Sequence, residues 1–295
     1  MPQISWSYGY DAVGNLTCLD PAGASPCNPN APYVQGYNYD AQNRVKGMSG
    51  PYRTDGDSYS YDVVGDLLTK NEVGGADNAT LSYNNWFPEH APSSVNGIPY
   101  YYDRAGNLVS RGGTTYTYDW ADHLSQVSQA SGTTQLRYDG DGQLAQKTDS
   151  SGMVDYVDDL YKRTAATGQE TKRYVLGGKL VATSVGGSVS YRYSDYLHSV
   201  VSASNGSWTE YAPYGLPQQS GDTLPTDHQF QGQRDQSSLG LYHMGARWCT
   251  TVGPPLERPC AASAPTMPAQ TLFAQTPSAP TRPWEPDSWP VSGTC

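Results

Sequence analysis

The aspartates are the residues of this sequence whose spacing most suggests chemistry. The run Asp139-Gly-Asp-Gly-Gln143 alternates carboxylates with glycines, as a calcium-binding loop can. An EF-hand loop needs Gly at its sixth position and Glu at its twelfth, but Leu144 and Ser150 stand there. The run therefore predicts a turn stiffened by Asp and Gly. Asp158 and Asp159 leave weak surface binding of calcium open.

Histidine and cysteine show no pattern typical of a metal or catalytic site. No C-x-x-C pair and no zinc-like histidine spacing occurs, and no G-x-S-x-G nucleophile motif is present. Gly177-Gly178-Lys179 lacks the spacing of a phosphate loop. We therefore predict no catalytic residue, no cofactor and no metal, and structural roles for the histidines, which are His90, His123, His198, His228 and His243.

Five cysteines make a complete disulfide framework impossible. Cys18 and Cys27 flank a Pro/Asn-rich loop and could pair there. Cys249, Cys260 and Cys295 lie in a stretch of different composition and make the total odd.

One phrase recurs along the first half: two tyrosines flank a single residue, and Asp, two spacers, Gly or Asn, and an apolar residue follow. A recurring phrase of this kind indicates similar structural units in series. The residues that we expect to define the units are Tyr8, Tyr10, Asp11, Gly14, Tyr37, Tyr39, Asp40, Tyr59, Tyr61, Asp62, Gly65, Tyr102, Asp103, Gly106, Tyr118, Asp119, Tyr138, Asp139 and Gly142.

Each unit is expected to be a β-hairpin. Residues i and i+2 of a strand share one face, so the paired tyrosines pack side by side as core. The Asp can accept bonds from amides two residues on and start a turn. The Gly stands where the chain needs positive φ, a place that Asn43 and Asp122 take in two units. We expect an all-β fold in which consecutive hairpins form a spiralling sheet.

Composition limits the function classes. The net charge of −10 argues against a nucleic-acid platform, for which aromatics alone are insufficient. The sequence contains no apolar run of membrane-spanning length, and we see no signal peptide at its start. The 24 tyrosines compensate for the scarcity of aliphatic residues, because each can bury a large ring.

Three regions are expected. Residues 1–149 hold the hairpin repeats, and residues 150–248 remain β-rich but carry different sequence motifs. Residues 249–295 contain 10 of the 22 prolines and no tyrosine or lysine, which predicts a disordered tail.

The repeats and the second half resemble the Rhs or YD-repeat family with its repeat-associated core. The resemblance covers about residues 5–248 and is most specific in Phe230–Gln233 and at the Gly-Ala-Arg-Trp segment. The core residues matched are Gly232, Leu241, Tyr242, Gly245, Ala246, Arg247 and Trp248. The resemblance implies a spiral β-sheet that forms a hollow shell around a variable C-terminal polypeptide, commonly a toxin. It also implies a larger protein that is secreted or displayed at the cell surface.

The chain departs from the family after Trp248. The aspartates with which self-cleaving members release their cargo have no counterpart, since Asp287 alone follows, in a proline-rich context. We therefore expect a non-enzymatic shell fragment whose inner face, opposite the tyrosine pairs, is polar and whose partner is the enclosed C-terminal polypeptide. Residues 249–295 are expected to be a frameshifted or rearranged end, or else a genuine short C-terminus.

Two alternatives remain. Exposed aromatics, Trp86, Trp120 and Trp208, could stack on sugars in a cell-surface adhesion module that binds glycans. The chain could also be a degenerate remnant. An autoproteolytic enzyme is disfavoured by the missing aspartates.

Overall fold

The computed structural model describes residues 6–20, 23, 27–28, 34–50, 53–72, 78–84, 90–220, 224–244 and 248–250. These residues form β-strands, turns and two short 3-10 turns, as the tyrosine–aspartate phrase predicts. The strands are β1 (Ser7–Tyr10), β2 (Leu16–Asp20), β3 (Gln35–Tyr39), β4 (Val45–Gly50), β5 (Arg53–Tyr61), β6 (Leu67–Asn71), β7 (Ala79–Ser82), β8 (Ser94–Val95), β9 (Ile98–Tyr102), β10 (Leu108–Arg111), β11 (Thr114–Tyr118), β12 (Leu124–Gln129), β13 (Gly132–Tyr138), β14 (Leu144–Asp149), β15 (Gly152–Val157), β16 (Tyr161–Thr164), β17 (Glu170–Leu176), β18 (Lys179–Val185), β19 (Ser188–Ser194), β20 (Val200–Ala203), β21 (Thr209–Tyr211), β22 (Pro217–Ser220), β23 (Arg234–Gln236), β24 (Leu241–His243) and β25 (Trp248–Thr250).

Strands β1 to β20 form one antiparallel sheet in which each strand pairs with the next in the chain. Strands β21 and β22 form a separate hairpin, and β23 to β25 form a small three-stranded sheet. This order is a meander of hairpins, the arrangement that repeated strand–turn–strand units favour.

The pairing register shifts beside the second tyrosine of the repeats. In β1 the shift lies between Gly9 and Tyr10, and in β11 it lies between Thr117 and Tyr118. The same irregularity recurs in β3, β5 and β13. A bulge increases local twist and bends its strand. Repetition at equivalent places therefore makes the sheet curl.

The curl brings distant parts of the chain together. The ring of Tyr8 in β1 meets that of Tyr196 after β19, with centroids 5.4 Å apart. The hydroxyl oxygen of Tyr61 in β5 lies 2.6 Å from that of Tyr214, after β21. The expected all-β, spiralling sheet is therefore confirmed.

The tyrosine face of the repeats is the core face. Tyr59 and Tyr116 are buried, whereas Ser60 and Thr117, which stand between paired tyrosines, are exposed. The largest core cluster combines repeat residues such as Leu108 and Leu124 with later residues of the chain. The last segment, through Leu239, Leu241 and Trp248, thus completes the core of the repeats.

Several sequence-based expectations meet the structure here. Cys18 and Cys27, whose pairing the sequence left open, form a disulfide. The boundary proposed at residue 150 falls in the turn between β14 and β15, inside the same sheet. The tail proposed from residue 249 begins inside β25, and residues 251–295 lie outside the described residues, as does Asp287. No helix in the described part of the chain is long and apolar enough to cross a membrane.

Candidate functional site

The aspartate of each repeat builds its loop. In six copies one carboxylate oxygen, Oδ1, accepts the backbone N–H groups of the second and fourth residues after the aspartate, at 2.8–3.0 Å. The N–H of the aspartate itself donates to the carbonyl of the fourth residue. The six loop aspartates are Asp11, Asp40, Asp62, Asp103, Asp119 and Asp139. Asp139 therefore stiffens a turn, as expected.

The pKa shifts of Asp40 and Asp119 agree with the role of these aspartates as hydrogen-bond acceptors in their loops. Slight burial opposes ionisation of Asp40, but hydrogen bonds from the backbone and side chain of Arg44 lower its pKa overall. Partial desolvation of Asp119 is likewise outweighed by the N–H groups of His123 and Ala121, which lower the pKa of that carboxyl. Because the oxygens of these carboxylates accept hydrogen bonds from their own loops, the carboxylates are not placed for proton transfer.

The glycine position adopts the left-handed backbone that its loop requires. Gly142 has φ 76° and Gly106 has φ 94°. Where glycine is missing, Asn43, Asp122 and His198 take the same region, with φ of 60°, 62° and 68°. His198 thus occupies the glycine place of a further aspartate loop, in which Oδ1 of Asp195 accepts the N–H groups of Leu197 and Ser199 at 2.8 Å.

The second tyrosine of four of the six repeats ties neighbouring hairpins together. Its hydroxyl donates to the carbonyl oxygen of the apolar residue that ended the preceding loop, whereas the hydroxyl of Tyr102 donates to the carbonyl of Pro92. Both partners of this ladder hold fixed places in the repeat phrase, although 10 to 23 residues separate them, so the phrase is the signal that could have revealed it. Its bonds, 2.8–3.1 Å long, run from Tyr39 to Leu16, Tyr61 to Val45, Tyr83 to Leu67, Tyr118 to Leu108 and Tyr138 to Leu124. Tyr83 belongs to Leu81-Ser-Tyr83-Asn84, a unit that has lost most of the repeat phrase, and it keeps this bond.

The core motif of the second half forms a hydrogen bond to one tyrosine of this ladder. The indole Nε1 of Trp248 donates to the hydroxyl of Tyr138 at 2.9 Å. The ring of His243 packs on Trp248, with centroids 4.6 Å apart, and is buried. Leu241 and Tyr242 are buried beside it, and Gly232 has φ 68°. Gly245, Ala246 and Arg247 lie outside the described residues. His243 is therefore a packing residue.

A buried ionic cluster, which the sequence analysis missed, fixes residues 224–236 to the sheet. Asp227 bonds Arg173 of β17 at 2.5 Å and Lys162 of β16 at 3.0 Å. His228 contacts the same carboxylate at 3.1 Å. Although burial opposes ionisation of Asp227, these three partners hold its pKa well below the usual range. The cluster is an electrostatic seam between the hairpins and the core segment.

Asp159 extends the seam. Its Oδ1 accepts from Nη2 of Arg234 at 2.8 Å. The guanidinium of Arg234 in turn covers the ring of Tyr156, 4.2 Å from its centroid. Among the described residues no group of three His, Cys, Asp or Glu could hold a metal ion. The possibility of calcium at Asp158 and Asp159 therefore finds no cluster to support it there.

The exposed aromatics are dispersed. Trp120 stands at a loop tip and is 97% exposed, whereas Trp208 is half-buried. Trp86 lies outside the described residues. A sugar-stacking surface made of the three tryptophans stays a prediction.

The sequence matches the family model described as Teneurin YD-shell over residues 4–163. No curated protein sequence matches the chain significantly. Solved structures share its fold: "Crystal Structure of TcdB2-TccC3-Cdc42" has a TM-score of 0.66 at 17% identity. "Structure of Photorhabdus luminescens Tc holotoxin pore, Mutation TccC3-D651A" also has a TM-score of 0.66, at 17% identity.

The alignments cover 85% and 88% of this chain. They cover only 16% of each of those chains. The present sequence therefore corresponds to a small part of the length of the similar structures.

Proposed function

The chain belongs to the teneurin YD-shell family, and we propose that it is a structural, non-enzymatic part of a shell wall that surrounds a C-terminal polypeptide. The observation that carries the proposal is the uninterrupted meander β1–β20, which curls until Tyr8 meets Tyr196. A curling sheet whose loops are fixed by aspartates and tied by tyrosines suits a wall better than a reaction site.

The exposed face of the sheet suits a container. Three of the residues that stand between paired tyrosines, Asn38, Ser60 and Thr117, are polar and exposed. Such a surface can lie beside an extended polypeptide without strong hydrophobic binding, which would hinder release. We propose that this face looks toward the cargo, and that the cargo is a toxin-type effector carried by a larger protein that acts outside the cell or at its surface.

The similar solved structures support the proposal. The similar structures are those of a TcdB2-TccC3-Cdc42 complex and of a Tc holotoxin pore. Because identity is 17%, they support the fold, and a toxin cargo remains part of the proposal. The glycan-binding alternative rests on the exposure of Trp120 alone, and the remnant alternative rests on residues outside those described.

Protease protection tests the proposal on the full chain. Chymotrypsin can cut after Phe273 and Trp284, whereas both tail arginines precede prolines that block trypsin. If the C-terminal polypeptide is sheltered by the wall, cleavage after Phe273 is much slower in the native chain than in a synthetic peptide of residues 251–295. Equal rates would contradict enclosure. The chain in urea serves as the control for intrinsic cleavability.

A further inference from the structure

Two exposed tyrosines frame a slot on the face of the sheet opposite its core. Tyr174 of β17 pairs with Ala182 of β18, which pairs with Tyr191 of β19. Residues that lie opposite each other on neighbouring strands share one face. Tyr174 is 47% exposed and Tyr191 is 51% exposed, while Ala182 between them is 5% exposed. The alanine is thus a floor between two aromatic walls.

The slot opens into a depression and carries positive charge at its side. Lys172 and Ser184 lie one step along the same face, and with Tyr174 they line a depression of about 350 Å³. Lys172 is exposed and its ammonium lies 3.8 Å from Glu170, a loose surface pair. An ammonium held so loosely can turn toward an acidic partner.

The C-terminal part of the chain contains a segment of matching period. Prolines recur at every third residue at Pro277, Pro280, Pro283 and Pro286. A polyproline II helix has three residues per turn, so in that conformation these prolines would share a single ridge. Pro-rich ridges of this kind bind between aromatic rings.

The spacing and charge of the proline segment match those of the slot. Strands β17 and β19 are separated by one strand, which places their tyrosines roughly 9.6 Å apart. Successive ridge prolines lie about 9.3 Å apart in polyproline II. Glu285 and Asp287 flank Pro286 and are complementary to Lys172. The 26 residues between Thr250 and Pro277 span up to about 90 Å when extended, which is ample reach.

We propose that the tyrosine slot of Tyr174, Ala182 and Tyr191 binds the proline ridge of residues 277–286 of the same chain. The inference deepens the proposed function and rests on it, because it names the patch of wall that holds the C-terminal polypeptide. Alternate polar and aromatic contacts would hold an extended segment in one register while leaving it unfolded.

Photo-cross-linking on the full chain tests this. Tyr191 is replaced by p-benzoylphenylalanine, and irradiation is followed by mass-spectrometric mapping. We expect an intramolecular cross-link to residues 277–286 that is mostly lost in the variant Pro280→Ser/Pro283→Ser. The matched control places the same probe at Val63, which is 92% exposed and lies in a loop distant from Tyr191 in the sequence. We expect no cross-link to residues 277–286 from this position.

Three results would overturn the slot: no cross-link from Tyr191 or from a second probe at Tyr174, a yield unaffected by the serine substitutions, or cross-linked dimers, which would assign the slot to a second copy. Circular dichroism of each variant verifies folding. Protection of Phe273 without the cross-link would overturn the slot alone. The cross-link without protection would overturn enclosure alone.

Discussion

The hydroxyl of Tyr138 joins two parts of the chain 110 residues apart: it donates to the carbonyl of Leu124 and accepts from Nε1 of Trp248. This rung of the tyrosine ladder is therefore also the anchor of the core segment. The ring of His243 lies beside the ring of the same tyrosine, with centroids 6.4 Å apart. The repeats and the core segment consequently share one structural joint.

Tyr138→Phe should destabilise the chain more than the same change elsewhere in the ladder. The substitution removes two hydrogen bonds and leaves the buried indole N–H of Trp248 without its acceptor, which costs about 2–3 kcal/mol. Tyr39→Phe, the matched control, removes the hydrogen bond to the carbonyl of Leu16 and should cost about 1 kcal/mol. Urea unfolding followed by tyrosine and tryptophan fluorescence measures both. Equal losses would show that the Trp248 bond contributes nothing.

Asp119→Ala should loosen its loop, because two backbone N–H groups lose their acceptor. We expect a loss of about 1–2 kcal/mol in the free energy of unfolding. Asp119→Asn should restore most of it, since an amide oxygen can accept the same bonds. Asp141→Ala, at an exposed loop tip, is the control and should change stability by less than about 0.5 kcal/mol. A similar loss for Asp119 and Asp141 would contradict the proposed role of the loop aspartate.

Gly215→Ala should be strongly destabilising. A methyl group there would lie 2.6 Å from the Phe230 ring, and the residue has φ 89°. Strain and overpacking together predict a loss of about 2–4 kcal/mol. Gly140→Ala is the matched control, because nothing lies within 4 Å of its added Cβ and no positive φ is recorded for it. Thermal unfolding of the two variants distinguishes them, and equal melting temperatures would refute the close approach of Phe230.

Local periodicity predicted the hairpins because their determinants are local. Each loop aspartate acts within four residues, and the left-handed positions show as Gly, Asn, Asp or His at one place in the phrase. The turn between β17 and β18 is local in the same way, because Gly177 and Gly178 adopt φ of 58° and 77°. Periodicity of this kind is fully visible in one sequence.

The ionic seam could not be predicted, because its partners are distant in the chain. Asp227 meets Arg173 across 54 residues and Lys162 across 65 residues. No spacing rule links them, and each alone looks like an ordinary surface charge. Only the curl of the sheet, which arises from the accumulated bulges, brings them together.

Asp227→Asn should test the seam directly. The amide keeps an acceptor oxygen but removes the charge that pairs with Arg173, whose side chain is 1% exposed. An unpaired buried guanidinium predicts a loss of about 3–5 kcal/mol. Glu170→Gln, which removes an exposed pair with Lys172, is the control and should cost less than about 1 kcal/mol. Urea midpoints measure both. An unchanged midpoint for Asp227→Asn would show that the seam does not stabilise the fold.

Asp195→Asn should change how stability depends on pH. Burial raises the pKa of Asp195 to about 6, against the lowering effect of the N–H groups of Ser199 and Leu197. The folded state therefore binds this proton more tightly than the unfolded state does. The associated stabilisation is complete below about pH 4 and is lost as the pH rises through 6.

The asparagine variant keeps the acceptor oxygen and lacks the titration. The free energy of unfolding of the original chain, minus that of the variant, should fall by on the order of 1–3 kcal/mol between pH 4 and pH 7. Taking this difference cancels the opposite contributions of carboxyls with lowered pKa, such as those of Asp40 and Asp227. Urea unfolding at steps across that interval measures it. A difference that stays constant with pH would show that the Asp195 carboxyl ionises in the folded chain as it does in the unfolded chain, and so that burial in this loop costs its charge nothing.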